Sequence, residues 1–478
     1  MANALRLLGV GAGDRVALLS KNRPEFFEVM FGCSKIGAVM AGLNWRLAPA
    51  EITAIVRDAE PTVILVADEQ RALLTDEACE VASIIAVKSL DTEYEPWLAG
   101  ASIGDPCVTV GDDAVVLLLY TSGTTGLPKG VELTNRGMSF SRQLANDVWE
   151  FRPDSVNLVG MPMFHIGGCG YGMAAFVSGG HTVLLRDLDA ASIVEAIQLH
   201  RVTNAFFVPA VIQSILQAPG IAEADLSSLE LLCYGASPIG DAVLRNAIAV
   251  LGCGFTQAYG MTETSGTIVS LPRSDHDPDS DRAHLLRSCG KAVPWVELKI
   301  FDPALGAPVP VGEVGEVWVR SDMNMKGYRA KPDETAATLT AGGWLRTGDA
   351  AYVDDDGYIF LFDRYKDMIV SGAENIYPAE VENVMYGHPA VAEVAVIGVP
   401  HDRWGETPMA MVVLKAGLMS DAIPTADDLL QFTRQSLARY KCPTAIEFVG
   451  ELPRNASGKI LKKELRAPYW LGRDRRIS

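Results

Sequence analysis

The sequence predicts an α/β protein: a large N-terminal domain of helix-covered β-sheets plus a β-barrel-like subdomain, followed by a small α+β C-terminal domain. Three observations carry this. Short apolar runs alternate with helical stretches through the first half, the texture turns to short strands and tight turns from about Val293, and past Arg364 the pattern restarts. The expected domains are therefore 1–363 and 364–478.

In chain order, residues 15–19 read as a buried strand, 24–36 as a helix and 62–66 as another strand. Apolar runs at 115–119, 156–159, 182–185, 205–208 and 229–233 continue the strands, with helices between them that include 190–200 and 239–251. Such alternation implies largely parallel sheets under helices. The turns GEVG at 312–315 and DDDG at 354–357 mark the antiparallel region. A helix at 379–386, strands at 391–399 and 409–414, and a helix at 425–437 suffice for a small domain. The opening stretch 2–10 reads as the last turns of an amphipathic helix closed by Gly9.

Composition narrows the function. Apolar residues at 49% and charged residues at 21% are those of a globular enzyme. The formal charge of -18, from 41 basic and 59 acidic residues, argues against nucleic-acid or anionic-membrane partners. Eight cysteines without a C-x-x-C pair suggest neither a zinc site nor a disulfide framework, so reduced and mostly buried thiols are expected. No apolar run is long enough to span a membrane and no basic, apolar leader follows Met1, so a cytoplasmic location is expected.

The most informative stretch is YTSGTTGLPKG at 120–130, directly after an apolar strand. Its hydroxyls (Thr121, Ser122, Thr124, Thr125), its glycines (Gly123, Gly126) and Lys129 offer donors and close backbone approach to a polyphosphate. It is not a Walker A loop, because Lys129 is followed by glycine rather than serine or threonine. Nor does GASPIG at 235–240 make a nucleophile elbow, since it has one residue too many and Pro238 would spoil the helix start.

This order of residues resembles the phosphate-binding motif of the adenylate-forming superfamily, which includes acyl-CoA synthetases and amino-acid adenylation domains. QAYGMTET at 257–264 is similar to the family's second signature. The resemblance implies that Thr262 touches the α-phosphate, that Glu263 with Thr121 holds Mg²⁺, and that Tyr259 and Gly260 adjoin the nucleotide. YGASP at 234–238 resembles the adenine segment (Gly235, Ala236, Ser237), and TGD at 347–349 the ribose motif of Asp349. DRYKD at 363–367 resembles the hinge, with Arg364 on the ribose and Lys366 as pivot of a mobile C-terminal domain. LPRNASGKI at 452–460 resembles the C-terminal motif, whose Lys459 is the expected catalytic cation alongside Lys129. Ser371, Gly372, Ala373 and Glu374 would line the coenzyme A passage, Ala373 standing where relatives often have a second glycine.

The resemblance implies an acid–thiol ligase that consumes ATP, adenylates a carboxylic acid and passes the acyl group to coenzyme A. His165 stands where amino-acid-activating relatives usually carry an aspartate for the substrate ammonium, which disfavours an amino acid. His165, Gly168, Phe207 and Gly235 are the expected acyl-pocket residues, and a medium- or long-chain fatty acid is favoured, with aryl or steroid-derived acids behind it. The rival readings are delivery to a carrier protein, a luciferase-like oxygenase and a non-catalytic nucleotide-binding regulator; intact Glu263, Asp349, Arg364 and Lys459 speak against the last. A homodimer is compatible with these features, and the chain is expected to lack some tens of residues that precede the first lobe in relatives.

Overall fold

The computed structural model describes residues 1–121, 128–237, 239–364, 367–371, 374–401, 403–419, 422–454 and 460–471, with backbone alone at 363, 364, 374 and 375. Two seven-stranded sheets form the bulk. The first runs in the order Gly327–Tyr328, Lys129–Thr134, Val115–Thr121, Val39–Leu43, Arg15–Leu19, Val63–Val66 and Ala86–Ser89. The last five are parallel and the first two antiparallel.

Its central strands are near-continuous apolar runs because both faces are covered. Alternate residues divide between them: Val16 and Leu18 pack with Phe26, Phe27 and Val29 of helix Glu25–Ser34. Ala17 and Leu19 pack with Ile52, Ile55 and Val56 of helix Pro49–Ala59. Helix Ala2–Leu7 precedes Gly9, whose φ of +86° is the left-handed stop expected there.

The second sheet repeats the plan. Its order is Lys291–Ala292, Gly266–Leu271, Gly254–Met261, Leu231–Gly235, Asn204–Phe207, Val156–Val159 and His181–Leu184. Again five strands are parallel and the first two antiparallel. Helix Ala190–His200 starts where Asp189 accepts a hydrogen bond from the Ser192 amide at 2.9 Å.

The region expected to be barrel-like is a five-stranded antiparallel sheet of Ala307–Pro308, Glu297–Asp302, Gly315–Arg320, Leu345–Val353 and Ile359–Arg364. The last sheet pairs Glu374–Ile376, Ile369–Ser371, Gly405–Leu414 and Val391–His401, with Ala445–Phe448 parallel to Gly405–Leu414. Helix Pro378–Tyr386 and helix Ala426–Arg434 close over it around Val381, Met385, Val394, Val412 and Leu429. All eight cysteines are free thiols, five of them buried. No helix among the described residues is long and apolar enough to cross a membrane.

Candidate active site

Both large sheets present the same device. Where parallel strands give way to antiparallel ones, two consecutive strands pair antiparallel, and each pair flanks one of the motifs expected to bind nucleotide. In the first, Thr121 and Lys129 face each other in register on Val115–Thr121 and Lys129–Thr134. Ser122, Gly123, Thr124, Thr125 and Gly126 between them lie outside the described residues. In the second, Gly254–Met261 leads into the turn Thr262–Thr264 and returns on Gly266–Leu271. The Thr264 hydroxyl fastens this turn, accepting from the Met261 amide at 3.1 Å and lying 2.8 Å from the Gly266 carbonyl. Gly260 sits at a register shift, where a Cβ would lie 1.9 Å from the Gly266 oxygen.

A residue absent from the sequence reading joins the two hairpins. Strand Gly327–Tyr328 adds to Lys129–Thr134, and the Tyr328 hydroxyl donates to Oε1 of the buried Glu263 carboxylate at 2.9 Å. The Lys129 ammonium lies over the same ring, 5.1 Å from its centre, and pairs with Glu334, whose carboxyl it holds below the usual range. Lys129 and Glu263 thus share one neighbour although 134 positions separate them. Tyr328 and Glu334 carry no local motif that could have announced them.

The residues expected at the ribose and the adenine also converge. The Tyr259 hydroxyl donates to Asp349 Oδ2 at 2.8 Å, and burial, then the Asp349 charge, pushes that phenol well above its ordinary pKa. Asp349 faces Arg364 in the backbone register of Leu345–Val353 against Ile359–Arg364. Gly348, at φ +73°, lets its amide reach Glu316 Oε1 at 3.0 Å, just before Asp349 in the same strand. On the adenine segment, a Cβ at Gly235 would stand 2.1 Å from the Ala258 oxygen, so the strands admit only glycine. Ala236 follows at φ +65°, left-handed without being glycine, the kind of strain that gathers at functional sites. Beneath them Tyr234 bonds His276 Nε2 at 3.0 Å while His276 Nδ1 faces the Pro272 carbonyl at 2.9 Å. The carbonyl requires Nδ1 to carry the proton, so Nε2 accepts from the phenol. Burial pushes His276 down to about 4.

A predominantly apolar cavity adjoins these motifs. It offers about 90 Å³ to the centre of a water-sized sphere, and Ala236, Ala258 and Gly260 line it together with Ile166, Gly167, Tyr171, Trp149 and Phe206. None of the four expected pocket residues lines this cavity; in each case an immediate neighbour does. Phe207 is fully buried in the core with Leu158 and Tyr234, and Phe206 faces the cavity, because successive strand residues point to opposite sides. Gly168 serves packing, since a Cβ there would lie 2.1 Å from the Pro162 oxygen, while Gly167 and Gly170 line the space. Ala236 takes the place expected for Gly235, and Ile166 that of His165. His165 caps helix Ile166–Ser178 with its ring against Phe164 and its Nε2 buried without a hydrogen-bond partner among the described residues. Burial, then the Arg46 charge, pushes it down to about 4, so the ring is neutral at pH 7.

Ser371 and Glu374 pair across the hairpin expected to line the thiol passage. Gly372, Ala373, Lys366 and Lys459 lie outside the described residues, as does the Arg364 side chain. Among the described residues no group of three or more His, Cys, Asp or Glu side chains could cage a metal. One carboxylate with one hydroxyl, as at Glu263 and Thr121, fits a magnesium ion that keeps waters and shares phosphate oxygens.

The fold and these paired hairpins have known counterparts. The AMP-binding enzyme family matches residues 1–329, and the AMP-binding enzyme C-terminal domain matches residues 380–459. The fatty acid–[acyl-carrier-protein] ligase ScoC of Streptomyces coeruleorubidus is 40% identical over 483 residues, spanning 100% of this chain and 91% of that protein. A feruloyl-CoA synthase of Amycolatopsis sp is 40% identical over 473 residues, spanning 98% of this chain and 91% of that protein. The crystal structure of ATP-bound MatB from Rhodopseudomonas palustris superposes with a TM-score of 0.89 at 30% identity, covering 98% of this chain and 91% of that one. The chain belongs to the AMP-binding enzyme family, within the adenylate-forming superfamily. It is an AMP-forming acid–thiol ligase.

Proposed function

We propose that the protein is an acyl-CoA synthetase that joins a compact, mainly apolar carboxylic acid to coenzyme A through an acyl-adenylate. The observation that carries this reading is the Lys129–Tyr328–Glu263 constellation on twin hairpins beside an apolar cavity. In the first step a carboxylate oxygen attacks the α-phosphorus of ATP, pyrophosphate leaves, and the acid becomes a mixed anhydride. Acid and triphosphate are both anionic, so fixed donors and cations must offset their repulsion. Thr262 holds the α-phosphate, the hydroxyls of the 121–126 loop and Lys129 hold the outer phosphates, and Lys459 stabilises the charge that develops in the transition state. Mg²⁺, when bound at Glu263 and Thr121, neutralises part of the phosphate charge. Asp349 and Arg364 hold the ribose, while Tyr259, Gly260 and the segment Gly235, Ala236 and Ser237 hold the rest of the nucleoside.

In the second step the thiol sulfur of coenzyme A attacks the acyl carbonyl and AMP leaves. Residues 364–478 turn about Lys366 against 1–363 to bring Ser371, Gly372, Ala373 and Glu374 to the thiol. Neutral His165 lies beside the acyl site without adding charge to it. The cavity supports a ring or short chain over the long fatty chain favoured from sequence, since about 90 Å³ of such space holds fewer than about ten waters at ~10–15 Å³ each.

The test is pyrophosphate, AMP and thioester formation by the purified protein with ATP and Mg²⁺ across aryl and C6–C16 acids, with and without coenzyme A. Thioester and AMP in equal amounts are expected with compact acids. Lys459→Ala should slow adenylation by about 10²-fold or more. Pyrophosphate and acyl-adenylate without a coenzyme A thioester would turn the reading toward a carrier-protein acceptor, the acceptor named for the relative ScoC; no pyrophosphate from any acid would overturn it.

A further inference from the structure

A buried carboxylate lies against the segment that carries Asp349. Glu316, on strand Gly315–Arg320, is 5% exposed, and three donors converge on it. Its Oε1 accepts from the Gly348 amide at 3.0 Å, and its Oε2 accepts from the Trp318 indole at 2.7 Å and from Arg346 Nε at 3.3 Å. None of the nucleotide motifs read from the sequence includes it.

The two strands fall out of register where these groups meet. Glu316 pairs with Ala350 and Trp318 with Arg346, so Val317 alone stands against Thr347, Gly348 and Asp349. Such a bulge in a strand pair can aim a side chain beside an active site. Thr347 ties one side of it, its hydroxyl donating to the Val317 carbonyl at 2.8 Å and accepting from the Asp349 amide at 3.1 Å. Glu316 ties the middle through Gly348, whose φ of +73° a side chain would resist. An apolar side chain in place of a buried charge often serves stability as well or better. What the carboxylate adds is a charge-assisted hold on the backbone amide next to Asp349. The donors that share it are themselves held, since the Trp318 ring stacks on Phe301 with centres 4.2 Å apart and Arg346 lies 5.2 Å from the centre of the Trp318 ring.

We infer that Glu316 is a positioning residue for the ribose: by gripping Gly348 it fixes the bulge that sets the Asp349 carboxylate 2.8 Å from the Tyr259 hydroxyl, and with it the selection for a nucleotide that carries both ribose hydroxyls. It acts through Asp349 rather than on the nucleotide. This rests on the proposed function, in which Asp349 holds the ribose, and deepens it by naming what holds Asp349 in place.

The experiment measures kcat/KM for pyrophosphate release with ATP, 2′-deoxy-ATP and 3′-deoxy-ATP on the whole chain, using the acid of the panel above that it turns over fastest. The wild type should prefer ATP to at least one deoxy analogue by about 10-fold or more, since a site built to hydrogen-bond a hydroxyl rejects the analogue that lacks it. Glu316→Gln should bring that preference close to unity, chiefly through the KM for ATP. A glutamine offers one accepting oxygen and an NH2 that only donates, so it cannot satisfy Gly348 and Trp318 together. Adding Trp318→Phe removes the competing donor and should restore most of the preference, which a loss of stability alone would not do. If Glu316→Gln does not fold in thermal melts, Glu316→Asp decides, being one methylene too short to reach the Gly348 amide. Failure of both to fold would make Glu316 part of the fold alone and overturn the inference. An ATP preference unchanged in a folded variant would also overturn it. Equal kcat/KM for all three nucleotides in the wild type would remove the ribose contact of Asp349, and the inference with it, while leaving adenylation standing. Turnover of no acid would instead sink the function on which both rest.

Discussion

Replacing Tyr328 by phenylalanine isolates a single hydroxyl at the centre of the site. The ring stays, and with it the aromatic face under Lys129, 5.1 Å from the ammonium. What is lost is the 2.9 Å hydrogen bond to Glu263, a carboxylate only 6% exposed. A hydrogen bond to a charged group contributes about 1.5–3 kcal/mol, a factor of roughly 10 to 100 in an equilibrium constant. If that bond orients Glu263 for the metal, its loss should raise the Mg²⁺ concentration for half-maximal adenylation by about 10- to 100-fold. Excess Mg²⁺ should restore most of the rate. Pyrophosphate release titrated with Mg²⁺ at saturating ATP and acid reads this directly, with a thermal melt to establish that the variant folds. A folded variant with unaltered Mg²⁺ dependence would refute Glu263 as the metal ligand or Tyr328 as the residue that aims it.

Three further outcomes are expected. Gly260→Ala would place a Cβ 1.9 Å from the Gly266 oxygen, forcing the hairpin open; about 1–3 kcal/mol of stability should go in urea unfolding, and adenylation should fall at least 100-fold. Tyr259→Phe frees Asp349 from its 2.8 Å partner and should raise the KM for ATP about 10-fold, with a smaller change in kcat, in steady-state assays. Both His165 and His276 are pushed down to about 4, so between pH 6.5 and 4 the unfolded chain binds protons that the fold refuses. Stability is therefore complete above pH 6.5 and falls as the pH drops, by ~2 kcal/mol per histidine at pH 5 relative to pH 7; His276→Gln should remove about half of that slope in urea titrations.

Much of the architecture was legible because the parallel strands are buried on both faces and announce themselves as runs such as Val63–Val66 and Val156–Val159. Helix Ala190–His200 was legible to the residue, since Asp189 caps one end and the left-handed Arg201 the other. The motif residues were readable as chemistry, while the contact between Tyr259 and Asp349 was not named from the sequence. Two things were not readable. Tyr328 makes its contact from a two-residue edge strand and Glu334 from the short helix Pro332–Thr338 after it, elements too short to show a periodicity. The cavity wall was missed by one residue at each position, because an apolar pair such as Phe206 and Phe207 does not say which member faces the core.

The edge strand Gly327–Tyr328 has a further consequence for how the molecule matures. It couples the first hairpin to the second from a point some 195 residues beyond the first, so the proposed nucleotide cradle is closed by a late-synthesised segment. A chain released before that segment would lack one edge strand of the first sheet and, on the proposed function, should grip nucleotide poorly. Nucleotide bound to the finished cradle would in turn bridge both sheets, adding to their cohesion in proportion to the logarithm of its concentration.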